Sequence, residues 1–90
     1  MSFRIVTSDE LDKTLAVLER KDKATYTTVW KKIVQIASLD SAGIEHFKNM
    51  RGDLSRYRRV HVGSSVLLFR VEGDAVIFAW FGHHDDAYRR

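Results

Sequence analysis

Apolar residues recur along this chain with two different spacings, and the first gives way to the second past its middle. Leu11, Leu15 and Leu18 stand at i, i+4 and i+7, which lines one face of a helix. Thr7-Ser8-Asp9-Glu10 precedes them with the T-x-x-E spacing of a capping box, so a helix is predicted from there to about Glu19. Before it, Phe3 to Val6 reads as a short strand, and after it the charged stretch RKDK, residues 20–23, predicts a turn. A second helix from about Ala24 to Ser38 gathers Tyr26, Val29, Trp30, Ile33 and Ile36 or Ala37 on one side. Lys31, Lys32 and Gln35 face outward. The short connection implies an antiparallel helical hairpin.

Residues 39–55, with Gly43 and Gly52, show no regular period. Beyond them the spacing shortens to two. Tyr57 to Val62, Val66 to Val71 and Ala75 to Phe81 are predicted strands, rich in Val, Ile, Phe and Trp. Gly63-Ser64-Ser65 and Glu72-Gly73-Asp74 are the turns, so consecutive strands form antiparallel hairpins. AVIFAW, residues 75–80, is apolar at nearly every position and predicts a central strand covered on much of both faces. The order is β-α-α-β-β-β. It describes an α+β fold in which an N-terminal strand and a helical hairpin pack on an antiparallel sheet. Ninety residues leave room for one core, so residues 1–90 are expected to form a single domain.

Helices on one face leave the other for a ligand. Along the first hairpin strand Arg56, Arg58, Val60 and Val62 point one way, and Tyr57, Arg59 and His61 the other. The second set is the one predicted to face a partner.

Composition narrows what that partner is. With 44% hydrophobic and 30% charged residues the chain reads as a folded soluble protein. No apolar stretch approaches the roughly 20 residues of a membrane span, and the N-terminus lacks the apolar core of a secretory signal. Cysteine is absent, which excludes disulfides and thiolate chemistry and fits a cytoplasmic location. The net charge of +3 is unevenly placed. Residues 1–47 balance seven Lys/Arg against seven Asp/Glu, and the excess lies beyond them. There Lys48, Arg51, Arg56, Arg58 and Arg59 stand close together with only Asp53 opposing them. Arginine-rich patches suit a polyanion, because the planar guanidinium fork matches phosphate.

The final stretch, FGHHDDAYRR, concentrates proton-transfer and phosphate-contacting groups. His83 and His84 are adjacent, so in an extended segment they point to opposite sides and only one readily joins a given site. Histidine suits acid–base work because its ordinary pKa lies near neutral pH. Asp85 or Asp86 either orients an imidazole or caps a helix, and Tyr88 either stacks on a base or packs the tail onto the sheet. A zinc site needs about four ligands. Without cysteine, and with His46 and His61 away from ligand spacing, no metal or other cofactor is expected.

The segment LSRYRRVHVGSSVLLFRVEGDAVIFAWFGHHDDAYRR, residues 54–90, resembles the RelE/ParE superfamily of toxins from type II toxin–antitoxin systems. Tyr57-Arg58-Arg59-Val60-His61-Val62 matches that family's basic strand, and Gly82-His83-His84 through Tyr88-Arg89 matches its C-terminal motif. The preceding helical hairpin agrees in length and order. Family members often carry arginine where this chain has Ser64-Ser65-Val66, and again where it has His84.

The resemblance implies a ribosome-dependent mRNA endonuclease that uses no metal and drives the RNA's 2′-hydroxyl onto the adjacent phosphate. Its catalytic groups would be drawn from Arg59, His61, His83, His84 and Tyr88. Lys48, Arg51, Arg56, Arg58 and Arg89 would contact RNA. The implied partners are a cognate antitoxin, in a toxin–antitoxin hetero-oligomer, and mRNA on the ribosome with its rRNA, but no membrane. The same resemblance admits a ParE-like toxin that inhibits a topoisomerase by binding, or an inactive relative that binds RNA or a partner.

Overall fold

Two adjacent hydroxyls, Thr7 and Ser8, stand where the first helix begins, and Ser8 is the one that caps it. The computed structural model describes residues 3–47, 49, 50, 52 and 56–83. In it the Ser8 hydroxyl accepts from the Leu11 amide at 3.0 Å and donates to the Ala79 carbonyl at 2.6 Å. Thr7 instead ends strand β1 (Arg4–Thr7), paired with Phe78, and its hydroxyl donates to Asp12. The cap therefore lies one residue beyond the T-x-x-E register, because sheet pairing holds Thr7 extended.

Helix α1 (Asp9–Lys21) carries acidic residues in its first turn and basic ones in its last, matching its dipole. It runs past Glu19, and the expected RKDK turn shrinks to one residue. The Asp22 amide donates to the Leu18 carbonyl at 2.8 Å and closes α1. Its carboxylate accepts from Thr25 Oγ1 at 2.7 Å and from the Thr25 amide at 3.2 Å, opening α2 (Lys23–Ala37). Those two bonds, the side-chain one foremost, hold the Asp22 carboxyl below the usual carboxylate range. A short helix α3 (Ser41–Ile44), capped by Asp40, follows in the stretch without period.

Strands β2 (Arg58–Val62), β3 (Ser65–Glu72) and β4 (Ala75–His83) form the expected antiparallel meander. Its two loops are Gly63-Ser64 and Gly73-Asp74. Each has glycine at positive φ in the first central position, the type II′ geometry that suits the strands' twist. β1 adds in parallel beside β4, giving the order β1-β4-β3-β2 with β4 central as expected.

The helices cover one face. Leu11, Leu15, Val29, Ile33 and Ile36 pack there on Leu67, Phe69, Val76, Phe78 and Phe81. Phe47, just past α3, meets Phe69 edge-on with ring centroids 5.4 Å apart. A bulge opposite Leu68 and Phe69 leaves Ala79 without a register partner. Phe78 and Phe81 consequently both reach the helix side, although an even alternation would separate them. Trp80 goes to the other face, where it joins Met50, Val66, Leu68 and Tyr57 in a second, smaller cluster. Apolar clusters on both faces of β4 account for the absence of a polar position in AVIFAW.

Candidate functional site

On the face away from the helices, side chains of β2, β3 and β4 stand in rows. His61 is opposite Val66, and Val66 is opposite Gly82. The next row holds Arg59, Leu68 and Trp80. Beyond it Arg70 stands opposite Ile77, with Tyr57 beside it. The predicted trio Tyr57, Arg59 and His61 thus shares this face. It is not bare, because Val66 and Leu68 are buried there under Met50, Tyr57 and Trp80.

Strand β4, predicted to end at Phe81, runs on through Gly82 to His83, and the missing side chain of Gly82 serves packing. A Cβ at Gly82 would lie 2.6 Å from two carbons of the Trp80 ring, so the indole occupies that space. His83 pairs with Ser65, which pairs with Val62. Val62 and Phe81 pack into the helix-side core, so alternation puts His83 on that side as well. His83 therefore does not emerge beside Arg59 and His61. The physical reason is two further residues of pairing, Gly82 with Val66 and His83 with Ser65. His84, Tyr88 and Arg89 lie outside the described residues, as do Asp85, Asp86, Lys48 and Arg51.

The remaining arginines of the basic patch separate. Arg56 is exposed, with its guanidinium 5.5 Å from the centre of the Tyr57 ring. Arg58 turns to the helix side and donates from Nη1 to the Ile44 carbonyl at 3.0 Å, tying β2 to the end of α3. Arg59 is half-buried and His61 exposed.

β2 is the last strand of the sheet, and among the described residues its outer edge is covered only in part. Asn49 bridges Arg58, and the Met50 amide donates to the Tyr57 carbonyl at 2.8 Å. Past that contact His46, Phe47, Arg59, Val60 and His61 surround a hollow of about 340 Å³. Two imidazoles and a guanidinium there supply what proton transfer and anion stabilisation require without a metal. The sequence reading set His46 aside. The packing of Phe47 against Phe69 is what holds its neighbour at this edge, and linear spacing carries no trace of it.

A second hollow, about 230 Å³, is lined by Ser8, Glu10, Tyr57, Leu68, Arg70, Ala79 and Trp80. Arg70 donates from Nη2 to Glu72 at 2.9 Å and from Nη1 to the Tyr57 hydroxyl at 3.4 Å. Its Nε is buried without a partner. Sequence reasoning passed over Arg70. The signal was available as the lone charge in VLLFRV, on the same strand parity as Val66 and Leu68.

On the opposite side of the molecule, Tyr26, Thr27, Trp30, Lys31 and Val34 of α2 border an apolar hollow of about 510 Å³. Among the described residues there is no group of three or more His, Asp or Glu placed to hold a metal. No helix among them is long and apolar enough to cross a membrane.

No protein-family model matches the chain. A Methanocaldococcus jannaschii protein, named as a candidate toxin RelE4, is 35% identical over 91 residues, covering 98% of this chain and 93% of that protein. Among solved structures, the toxin–antitoxin complex RelBE2 of Mycobacterium tuberculosis has a chain that superposes with a TM-score of 0.75 at 13% identity, over 93% of each chain. The DinJ–YafQ toxin–antitoxin complex of E. coli has one that superposes with a TM-score of 0.60 at 18% identity, over 98% of this chain and 99% of the other.

Proposed function

Because the chain belongs to the RelE/ParE superfamily of toxins from toxin–antitoxin systems, we propose that it is a metal-independent endoribonuclease that cuts mRNA on the ribosome and is silenced by a cognate antitoxin. The observation that supports this most directly is the hollow at the β2 edge, where His46, His61 and Arg59 meet. One imidazole removes the proton from a 2′-hydroxyl. The 2′-oxygen then bonds to phosphorus while the bond to the 5′-oxygen breaks, and an acid returns a proton to that oxygen. The products are a cyclic phosphate and a 5′-hydroxyl. Arg59 holds the charge that accumulates on the phosphate oxygens between the two events.

His84 enters the proposal as an alternative donor to the leaving oxygen and Tyr88 as a support for base or phosphate, while His83, turned to the helix side of the sheet, is the less suited of the two histidines. Lys48, Arg51, Arg56 and Arg89 are proposed to contact the RNA backbone. Arg58 is the least suited of that group, because its Nη1 is committed to the Ile44 carbonyl. For the antitoxin, the apolar hollow on α2, bordered by Lys31, fits an acidic amphipathic segment that folds as it binds.

Primer extension on mRNA from translating ribosomes, with purified protein added, tests the reading. Cuts within codons at the A site are expected. Inhibition of a topoisomerase without any cuts would replace the nuclease with a ParE-like binder of the same fold.

A further inference from the structure

The hollow around Arg70 is unlike a phosphate site. Arg70 lies partly buried on the sheet, and its charge is already balanced by Glu72 at 2.9 Å. A second carboxylate, Glu10, lines the same hollow. An incoming phosphate would meet a compensated cation and a like charge, and gain little. What Arg70 does have in surplus is a hydrogen-bond donor, since its buried Nε–H has no partner. A donor left unmet in a low-dielectric setting is costly, and a neutral acceptor relieves that cost without disturbing the charge balance.

The walls narrow the choice further. Trp80 provides an aromatic side whose ring lies over Gly82. Leu68 and Ala79 provide apolar surface. The Tyr57 ring has both Arg56 and Arg70 within 6 Å of its centre and is less suited to stacking, but its hydroxyl points at Arg70. The 3.4 Å contact from Nη1 to that hydroxyl is long, so the guanidinium turns toward the hollow at small cost. Flat apolar walls, a guanidinium edge and a carboxylate at the margin match a nucleobase. Guanine fits best, because O6 and N7 form the acceptor pair that arginine reads, and N1–H and the N2 amino group are donors for a carboxylate.

We propose that this hollow is a base-reading subsite, in which Arg70 and Glu10 select a guanine stacked beside Trp80. Arg70 stands about four residues, or about 13 Å, along the strands from the His61 row. The subsite thus reads a base near the scissile bond and not at it. This inference rests on the RNA-cleaving reading for its substrate but not for its test.

The test uses 2′-O-methyl hexaribonucleotides, which lack the attacking hydroxyl and cannot be cleaved. Their sequences are identical except for one position that carries G, A, C or U in turn, and that position is scanned along the strand. Binding is followed by fluorescence anisotropy with the intact protein. At one position guanine should bind about tenfold tighter than the other bases, within the range of a good contact to a base edge. Arg70→Lys keeps the charge and loses the fork, so it should abolish the preference while overall affinity changes little. Glu10→Gln should reduce discrimination against adenine. Equal affinity for all four bases at every position, or a guanine preference that survives both Arg70→Lys and Arg70→Ala, overturns the subsite. Cleavage at the A site with no such preference removes the subsite alone. A protein that binds none of the strands removes the subsite and leaves the nuclease to the primer-extension test on translating ribosomes.

Discussion

Arg59 and His61 sit two residues apart on β2, and neither side chain belongs to the buried core. His61→Ala and Arg59→Ala should therefore each slow mRNA cleavage by about 10²–10⁴, the usual cost of losing a proton-transfer or charge-stabilising group. Antitoxin binding and the melting midpoint should barely move. Wild-type cleavage rates in both variants would place the chemistry elsewhere. Gly82 behaves differently, because its variant should fail through packing. A Cβ there would overlap the Trp80 ring, so Gly82→Ala should cost about 1–3 kcal/mol and shift the tryptophan emission. An unchanged thermal midpoint would mean that the indole moves aside freely. Strand alternation alone makes Arg59 and His61 legible as a pair in the sequence. His46 and Arg70 were not legible in that way. Each is brought to its hollow by contacts between distant parts of the chain, Phe47 on Phe69 in one case and the start of α1 against β4 in the other.

Asp22 is the whole connection between α1 and α2. Its carboxylate accepts two bonds from Thr25, and these lower its pKa in the folded chain. A lowered carboxylate stabilises the fold above its unfolded pKa, near 3.8, and the contribution disappears as pH falls through the folded value. Thermal melts should therefore show an acid-side loss that Asp22→Asn flattens, since asparagine caps without titrating. Identical acid limbs in the two proteins would remove Asp22 from the pH response. The elements themselves were largely readable, because leucine spacing and β-branched runs are local signals. Their joints were less so. Thr7 lost the cap to Ser8 through a strand pairing 71 positions away in sequence, and β4 outran its expected end because Ser65 was there to pair with His83. The parallel partner of β1 lay beyond any local pattern.

At the scale of the molecule, the excess of positive charge lies in the half that forms the meander, with arginine prominent in it. Binding to single-stranded RNA should weaken linearly in log–log plots against salt, with each phosphate contact contributing about 0.7 to the slope. Arg59→Ala should lower that slope by about one contact. A slope equal to the wild type would take Arg59 off the RNA path. The parallel seam between Arg4–Thr7 and Ala75–His83 has a further consequence for how the protein is made. During synthesis β1 emerges early and has no strand neighbour until β4 has also left the ribosome. The sheet therefore closes only when the meander is complete, since its earliest strand waits on its last. A nascent chain stalled before Ala75 lacks the strand that seats β1 and carries Trp80. Incomplete translation products of this toxin should accordingly be unfolded and inactive.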